Sequence, residues 1–334
     1  MCGNVHSIRM FVLQKAKFNM ETMSENEVNF PKEIFIIGNG VIAKALAVAL
    51  IIHGRKVTIL RGSVDEQTAY QQNIQVSTDD ITWEANVTIS SISQYDELDG
   101  IILLTNKSFG NPALADKLKS KIKQSPVVFL QNGLQIENSF IERGFTRLYR
   151  CVLMATSQSV TENKVRFKPV ASSPVGVIKG SVTVLDHIIE QINTDIFSFR
   201  TDADIQTLIW KKVISNCVFN SICPLLEVDN GIFYRNAAAL EMAKTVISEC
   251  IEVAKENGIQ LTMDGLVQNV LNLSKMSDGQ KISTYQDILN KRETEIETLN
   301  LAIAKTALLT GKIDVPVTAL LGELIKIKSE LSRV

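Results

Sequence analysis

Glu33-Ile34-Phe35-Ile36-Ile37-Gly38-Asn39-Gly40-Val41-Ile42-Ala43 decides how this 334-residue chain is read. Lys32 to Ile37 is a short, apolar, β-branched run, as in a central parallel strand covered on both faces. It leads straight into two glycines. An alanine-rich apolar helix is expected from about Val41 to His53, ended by Gly54. Lys56-Val57-Thr58-Ile59-Leu60 reads as a second strand. This makes a βαβ unit of about 30 residues with G-x-G-x-x-A at its first turn.

Each position of that turn has a physical task. Gly38 permits the tight bend, and a side chain at Gly40 would block a pyrophosphate. Ala43 lets the helix pack closely on the sheet, while Asn39, Val41 and Ile42 complete the turn and open the helix. The helix N-terminus offers unpaired N–H groups and a partial positive charge to phosphates. A glycine-rich turn with no ligand is the alternative. About 20 residues beyond the glycines, where an acid usually holds the ribose 2′-hydroxyl of NAD, stands Arg61. A guanidinium suits the 2′-phosphate of NADP, and Ser63 could add a hydroxyl. A solvated arginine at a strand end is the competing reading.

Outward from this unit the alternation continues. Ile101 to Thr105 reads as a strand, Asn111 to Lys123 as a helix and Val127 to Leu130 as a strand. Asn106-Lys107 and Gln131-Asn132-Gly133 follow two of these strands. In open α/β sheets ligands bind beyond the carboxyl ends of the strands, so Lys107 and Asn132 are expected near the cofactor. Asn132-Gly133 could equally be a plain turn. Cys151–Ala155, Lys164–Phe167 and Val175–Ile178 look like strands; a helix at Val182–Ile192 and a strand at Ile196–Arg200 follow. The fold class is therefore α/β: a Rossmann-type doubly wound sheet over residues 31–200, then an all-α domain over 201–334.

In that second half, Glu241–Asn257 and the segment holding Val317, Leu320, Leu321, Leu324 and Ile325 have helical periodicity, and their Met and Leu positions are expected in the core. The informative helix runs from about Ile205 to Asn220. Lys212, Asn216 and Asn220 fall at i, i+4 and i+8 and so share one face. On so apolar a helix that polar stripe either faces solvent or lines a cleft. Farther on, Asp287, Glu293 and Glu297 read as surface charge. Glu295, four residues before Leu299 on an expected helix, could point inward.

Composition excludes several classes. Lys+Arg is 35 and Asp+Glu 36, a net charge of −1, with no basic stripe for nucleic acid or an anionic membrane. Five scattered cysteines without a CxxC pair suggest a reducing, cytoplasmic setting. Three histidines far apart make a metal site unexpected. No apolar run reaches the ~18 residues of a membrane span. Residues 1–30 differ from the rest: Met1 to Met20 has no acid, and Met10 to Leu13 is too short for a secretory core. A disordered extension or an over-long start is expected there, with a transit peptide or a functional arm as alternatives.

Taken in order, these pieces resemble the ketopantoate reductases (2-dehydropantoate 2-reductases). The resemblance covers nearly everything from Pro31 onward. It rests on Gly38-x-Gly40-x-x-Ala43, Lys107, Gln131-Asn132-Gly133, Trp210-Lys211-Lys212 with Asn216 and Asn220, Asn230-Gly231, Ser283 with Gln286-Asp287, and Thr294-Glu295-Ile296 with Asn300. It implies NADPH as cofactor and a small 2-oxo acid as substrate. Lys212 would be the proton donor and Glu295 a substrate contact that orients the site. Asn216, Asn220 and Ser283 would hold the substrate's carboxylate and hydroxyl, and Asn132 and Lys107 would sit between cofactor and substrate. Ser221 and Cys223-Pro224 depart from the family's usual Pro and Thr-Ala, and Thr284-Tyr285 from a more apolar pair. These departures bear on which 2-oxo acid is used. An inactive nucleotide-binding paralogue is the reading from another class; retention of both Lys212 and Glu295 speaks against it. The apolar helical half could also bury a homodimer face.

Overall fold

The computed structural model describes residues 33–62, 64 and 68–334. Segment 1–30 and Ser63 lie outside them. In chain order the elements are β1 (Glu33–Ile37), α1 (Val41–Ile52), β2 (Lys56–Arg61), β3 (Tyr70–Ser77), β4 (Thr82–Ser91), β5 (Ile101–Leu104), α2 (Asn111–Lys119), β6 (Val127–Phe129), α3 (Asn138–Glu142), β7 (Leu148–Cys151), β8 (Ala155–Ser159), β9 (Lys164–Pro169), β10 (Ser173–Lys179), α4 (Val182–Ile192) and β11 (Phe199–Thr201). Then come α5 (Ile205–Leu226), α6 (Ile232–Arg235), α7 (Ala237–Glu256), α8 (Met263–Met276), α9 (Ser283–Leu289), α10 (Asn300–Thr310) and α11 (Pro316–Ser332).

The strands form one mixed sheet in the order β11-β10-β7-β6-β5-β1-β2-β4-β3-β9-β8. Its centre is parallel: Ile36 of β1 lies opposite Ile59 of β2 and Leu103 of β5. The continuous apolar runs of these strands follow from burial on both faces. The flanks carry antiparallel pairs, β3 with β4, β7 with β10 and β8 with β9. The β3–β4 hairpin is absent from the sequence reading because Tyr70–Ser77 is mostly polar and exposed on one side. Strand β11 begins at Phe199 rather than Ile196, and α2 stops at Lys119, where Lys121 and Ile122 turn back onto the Leu118 carbonyl.

The helical half packs around α5. This helix continues past Asn220 and through Pro224 to Leu226, where Glu227 caps it with φ 57°. Ile209, Trp210, Val213, Ile214, Cys217 and Val218 fill the core with Val246, Ile247 and Cys250 of α7 and Val270 of α8. Leu134 and Val152, from the sheet half, join the same cluster, so the two halves share apolar packing. Not every expected core position is inside. Met242, Leu320 and Leu324 are exposed, the last two at 60% and 41%. With Ile327 and Leu331, the two leucines form an apolar row along α11, because the core takes the opposite face through Leu321 and Ile325.

Candidate active site

At the end of β1 the backbone turns at Gly38 with φ 116°. A Cβ there would come within 2.8 Å of the Asn106 amide nitrogen, so only glycine lets the ends of β1 and β5 pass. Gly40 has an ordinary φ of −82°, and a Cβ on it would meet nothing within 4 Å among the described residues. Open space, not backbone strain, distinguishes this position. Gly40 is the N-cap of α1; among the described residues no side chain caps the helix, and no acid lies in its first turn. Its terminal N–H groups and positive dipole end are therefore left for an anion. Val41 and Ile42 are half-buried there, and Ala43 is fully buried against the sheet. Two carbonyl oxygens nearby, Asn39 Oδ1 and Asn106 Oδ1, are buried with no partner among the described residues. Buried acceptors lacking a donor suit a ligand rich in hydroxyl or amide groups. The turn thus fits a dinucleotide. Arg61 ends β2, half-buried, in register with Ser91 of β4.

Lys107, just after β5, reaches the helical half. Its Nζ lies 2.9 Å from Asp287 Oδ2 and 3.1 Å from Glu295 Oε2. Burial works against the charge on this amine, but the Glu295 and Asp287 carboxylates outweigh it and hold the pKa above the usual lysine value. Asp287 also accepts from Arg292 Nε at 3.0 Å. Ser108 Oγ stands 3.5 Å from Glu295 Oε1 and 3.2 Å from Thr298 Oγ1. Two expectations are corrected here. Asp287 is not surface charge: it is 4% exposed, a cost met by two cationic partners. Glu295 is not on a helix with Leu299; it caps the short 3-10 turn Ile296–Thr298, and α10 begins only at Asn300. That turn also meets the Gln131-Asn132-Gly133 turn, since the Leu134 amide donates to the Thr298 carbonyl at 2.8 Å. Gln131 is inward, exchanging hydrogen bonds with Asn111 at 2.8 and 2.9 Å, whereas Asn132 is half-buried with no side-chain hydrogen bond among the described residues.

On α5 the three polar positions divide. Lys212 Nζ donates to the Leu153 carbonyl at 2.7 Å. The expected strand Cys151–Ala155 is broken there: β7 ends at Cys151 and β8 begins at Ala155. The intervening carbonyl lies outside the sheet ladder and can accept from a side chain. Burial pushes Lys212 down to about 8; Arg150 reinforces this, while Cys151 and Glu295 oppose it. Burial pushes the Cys151 thiol up to about 12. Asn216 is half-buried and has no side-chain hydrogen bond among the described residues. Asn220 is buried, its Oδ1 accepting from Ser283 Oγ and the Thr284 amide, each at 3.3 Å. Ser283 itself is exposed. Around Lys107 and Lys212 the structure thus gathers Glu295, which couples to both amines.

Sequence reading gave some of the buried polar residues no role. Asn230 Oδ1, beyond α5, is buried and unpartnered among the described residues; an Asn-Gly after an apolar helix is indistinguishable from a turn. The Lys107–Asp287 pair spans 180 positions, and no local spacing announces it. No group of three or more His, Cys, Asp or Glu among the described residues could hold a metal ion.

A glycine turn opening a helix, joined to a half-buried lysine–glutamate centre from a helical half, fits an oxidoreductase. The comparisons narrow the class. Residues 34–177 match the family model "Ketopantoate reductase PanE/ApbA" and residues 204–329 its C-terminal counterpart. The chain belongs to the ketopantoate reductase family. It is 24% identical over 303 residues to the 2-dehydropantoate 2-reductase of Pyrococcus abyssi, covering 90% of this chain and 98% of that protein. Its fold is that of a ketopantoate reductase from Ralstonia eutropha JMP134, with TM-score 0.78, 19% identity and coverage of 90% and 100%. It also matches a D-mandelate dehydrogenase solved with NADH and anilino(oxo)acetate, with TM-score 0.78, 22% identity and coverage of 90% and 99%.

Proposed function

We propose that this chain reduces 2-dehydropantoate to pantoate with NADPH, a step of pantothenate and coenzyme A biosynthesis. The observation that carries the reading is the Lys212 amine, half-buried on α5 and held 2.7 Å from the Leu153 carbonyl, where loss of hydration pushes it down to about 8. Ketone reduction needs a proton at the oxygen where negative charge develops. No histidine is among the described groups of this site, and a lysine that yields its proton near neutral pH can replace one. When bound, the reduced nicotinamide supplies the hydride to C2. The Lys212 ammonium protonates the C2 oxygen, becomes the neutral amine and is recharged from solvent. Glu295 keeps that proton on Lys212 until it is needed and orients the substrate. Asn216, Asn220 and Ser283 hold its carboxylate and hydroxyl. Gly38 to Ala43 cradle the pyrophosphate, Arg61 takes the 2′-phosphate, and Lys107 and Asn132 stand where cofactor and substrate meet. In this reading residues 31–200 bind the cofactor and 201–334 supply the chemistry. A second copy would cover the α11 row, and the enzyme would work in the cytoplasm.

The test is loss of NADPH absorbance with a panel of 2-oxo acids. 2-Dehydropantoate should give the highest kcat/KM, and NADPH should be preferred to NADH. A second reading, a different 2-oxo acid, is favoured by the likeness to D-mandelate dehydrogenase and by Ser221 and Cys223-Pro224; phenylglyoxylate as the best substrate would establish it. Turnover of none of them would favour the inactive paralogue.

A further inference from the structure

Arg150 makes no hydrogen bond to Lys212 or Glu295, yet it is among the costliest side chains in the sheet. It sits on β7, 2% exposed. Its Nη1 donates to Glu137 Oε2 at 2.7 Å and its Nη2 to the Gly133 carbonyl at 2.9 Å. Glu137 is also buried. A buried ion pair seldom stabilises more than an apolar pair of similar size, because both charges lose their hydration. Leu148 and Tyr149, its neighbours on β7, are fully buried and carry no charge. Stability alone therefore does not account for a guanidinium here.

Its position suggests what does. Gly133, at φ 119°, is the pivot of the Gln131-Asn132-Gly133 turn. Arg150 holds that pivot from the sheet side, and the Thr298 carbonyl holds the next residue, Leu134, from the helical side. Three residues beyond Arg150, the Leu153 carbonyl takes the Lys212 amine. We propose that Arg150, with Glu137 as its counter-ion, is a positioning residue: it fixes the Asn132 turn at the cofactor mouth and sets a permanent positive charge behind the Lys212 amine. The groups facing that amine are then Cys151 and Arg150 from β7, Glu295 from the 3-10 turn, and the Leu153 carbonyl. Glu295 favours the ammonium and Arg150 the neutral amine, so the two charges act on this proton in opposite directions.

The proposal rests on the reading of Lys212 as proton donor, but its test does not need turnover. Competitive labelling with acetic anhydride across pH, read by peptide mass spectrometry, gives the titration midpoint of Lys212. NADPH fluorescence titration gives the cofactor Kd. In E137Q/R150M, which removes both charges together, the Lys212 midpoint should rise by on the order of half a pH unit, and NADPH binding should weaken severalfold. R150K keeps the charge and loses the fork: the midpoint should stay and only the binding should weaken. An unmoved midpoint in a folded E137Q/R150M protein, or wild-type NADPH affinity in R150K, overturns the proposal. If E137Q/R150M does not fold, R150K alone decides. Failure of every 2-oxo acid to react would sink the functional reading while leaving both measurements intact.

Discussion

Replacing Lys212 by methionine tests the central assignment through stability as well as rate. In the folded chain the amine is pushed from 10.5 down to about 8. At about 1.4 kcal/mol per pH unit, carrying the charge inside costs about 3 kcal/mol near neutral pH. The unfolded chain binds this proton more tightly than the folded one. Below about 8 both states are protonated and the full cost is present; between about 8 and 10.5 the folded chain has shed the proton and stability rises; above 10.5 the difference is gone. A methionine side chain at this position has no charge and carries none of this cost, but it forfeits the hydrogen bond to Leu153, about 1.5–3 kcal/mol for a charged donor. The variant should therefore be about as stable as wild type near neutral pH. It should fall behind by about 3 kcal/mol as the pH passes through the window. Urea unfolding at several pH values, followed by tryptophan fluorescence, measures the gap, and Trp210 on the same helix reports the relevant half. Groups that do not interact with Lys212 titrate alike in both proteins and cancel. A gap that does not change with pH, or widens in the opposite direction, refutes the claim that Lys212 is held above its preferred charge. The same variant should lose about 10²–10⁴-fold in kcat.

Further outcomes can be stated briefly. The pH profile of kcat/KM for ketone reduction should fall above about 8, as Lys212 loses the proton it must give. Gly40→Ala should leave the melting temperature unchanged, since its Cβ meets nothing within 4 Å, while weakening NADPH binding by about tenfold or more; Gly38→Ala, at φ 116°, should lower the melting temperature by several degrees. Arg61→Glu should raise the KM for NADPH by about tenfold or more relative to NADH, and an unchanged ratio would remove Arg61 from cofactor choice. Glu295→Gln should cut kcat/KM by about 10²-fold and lower the pKa of Lys107, measurable by the same acetic anhydride labelling.

Where chain neighbours are also neighbours in space, the sequence was informative. β1, the glycine turn and α1 follow one another without a break, and hydrophobic period and glycine placement describe the same object there. Lys212, Asn216 and Asn220 were legible as one helical face for the same reason. What failed were judgements that depend on distant partners. Asp287 looked solvent-exposed because the Lys107 that neutralises it lies 180 positions away. Leu320 and Leu324 looked internal because an apolar period shows that a helix has a greasy stripe, not how wide a stripe the core accepts. Glu295 looked helical because it stands four residues before Leu299, one helical turn away; the Thr298 carbonyl is instead engaged by Leu134, and the backbone coils more tightly before α10.

The bridge from Lys107 to Asp287 and Glu295 has a consequence for the solution behaviour of the molecule. Lys107 keeps 40% of its side chain in solvent, so dissolved ions reach this tie, while the apolar seam of Leu134 and Val152 is beyond them. Added salt thus slackens one fastening and spares the other. Ionic strength becomes a handle on how firmly the Lys107 loop grips Glu295, with the apolar seam beneath left intact.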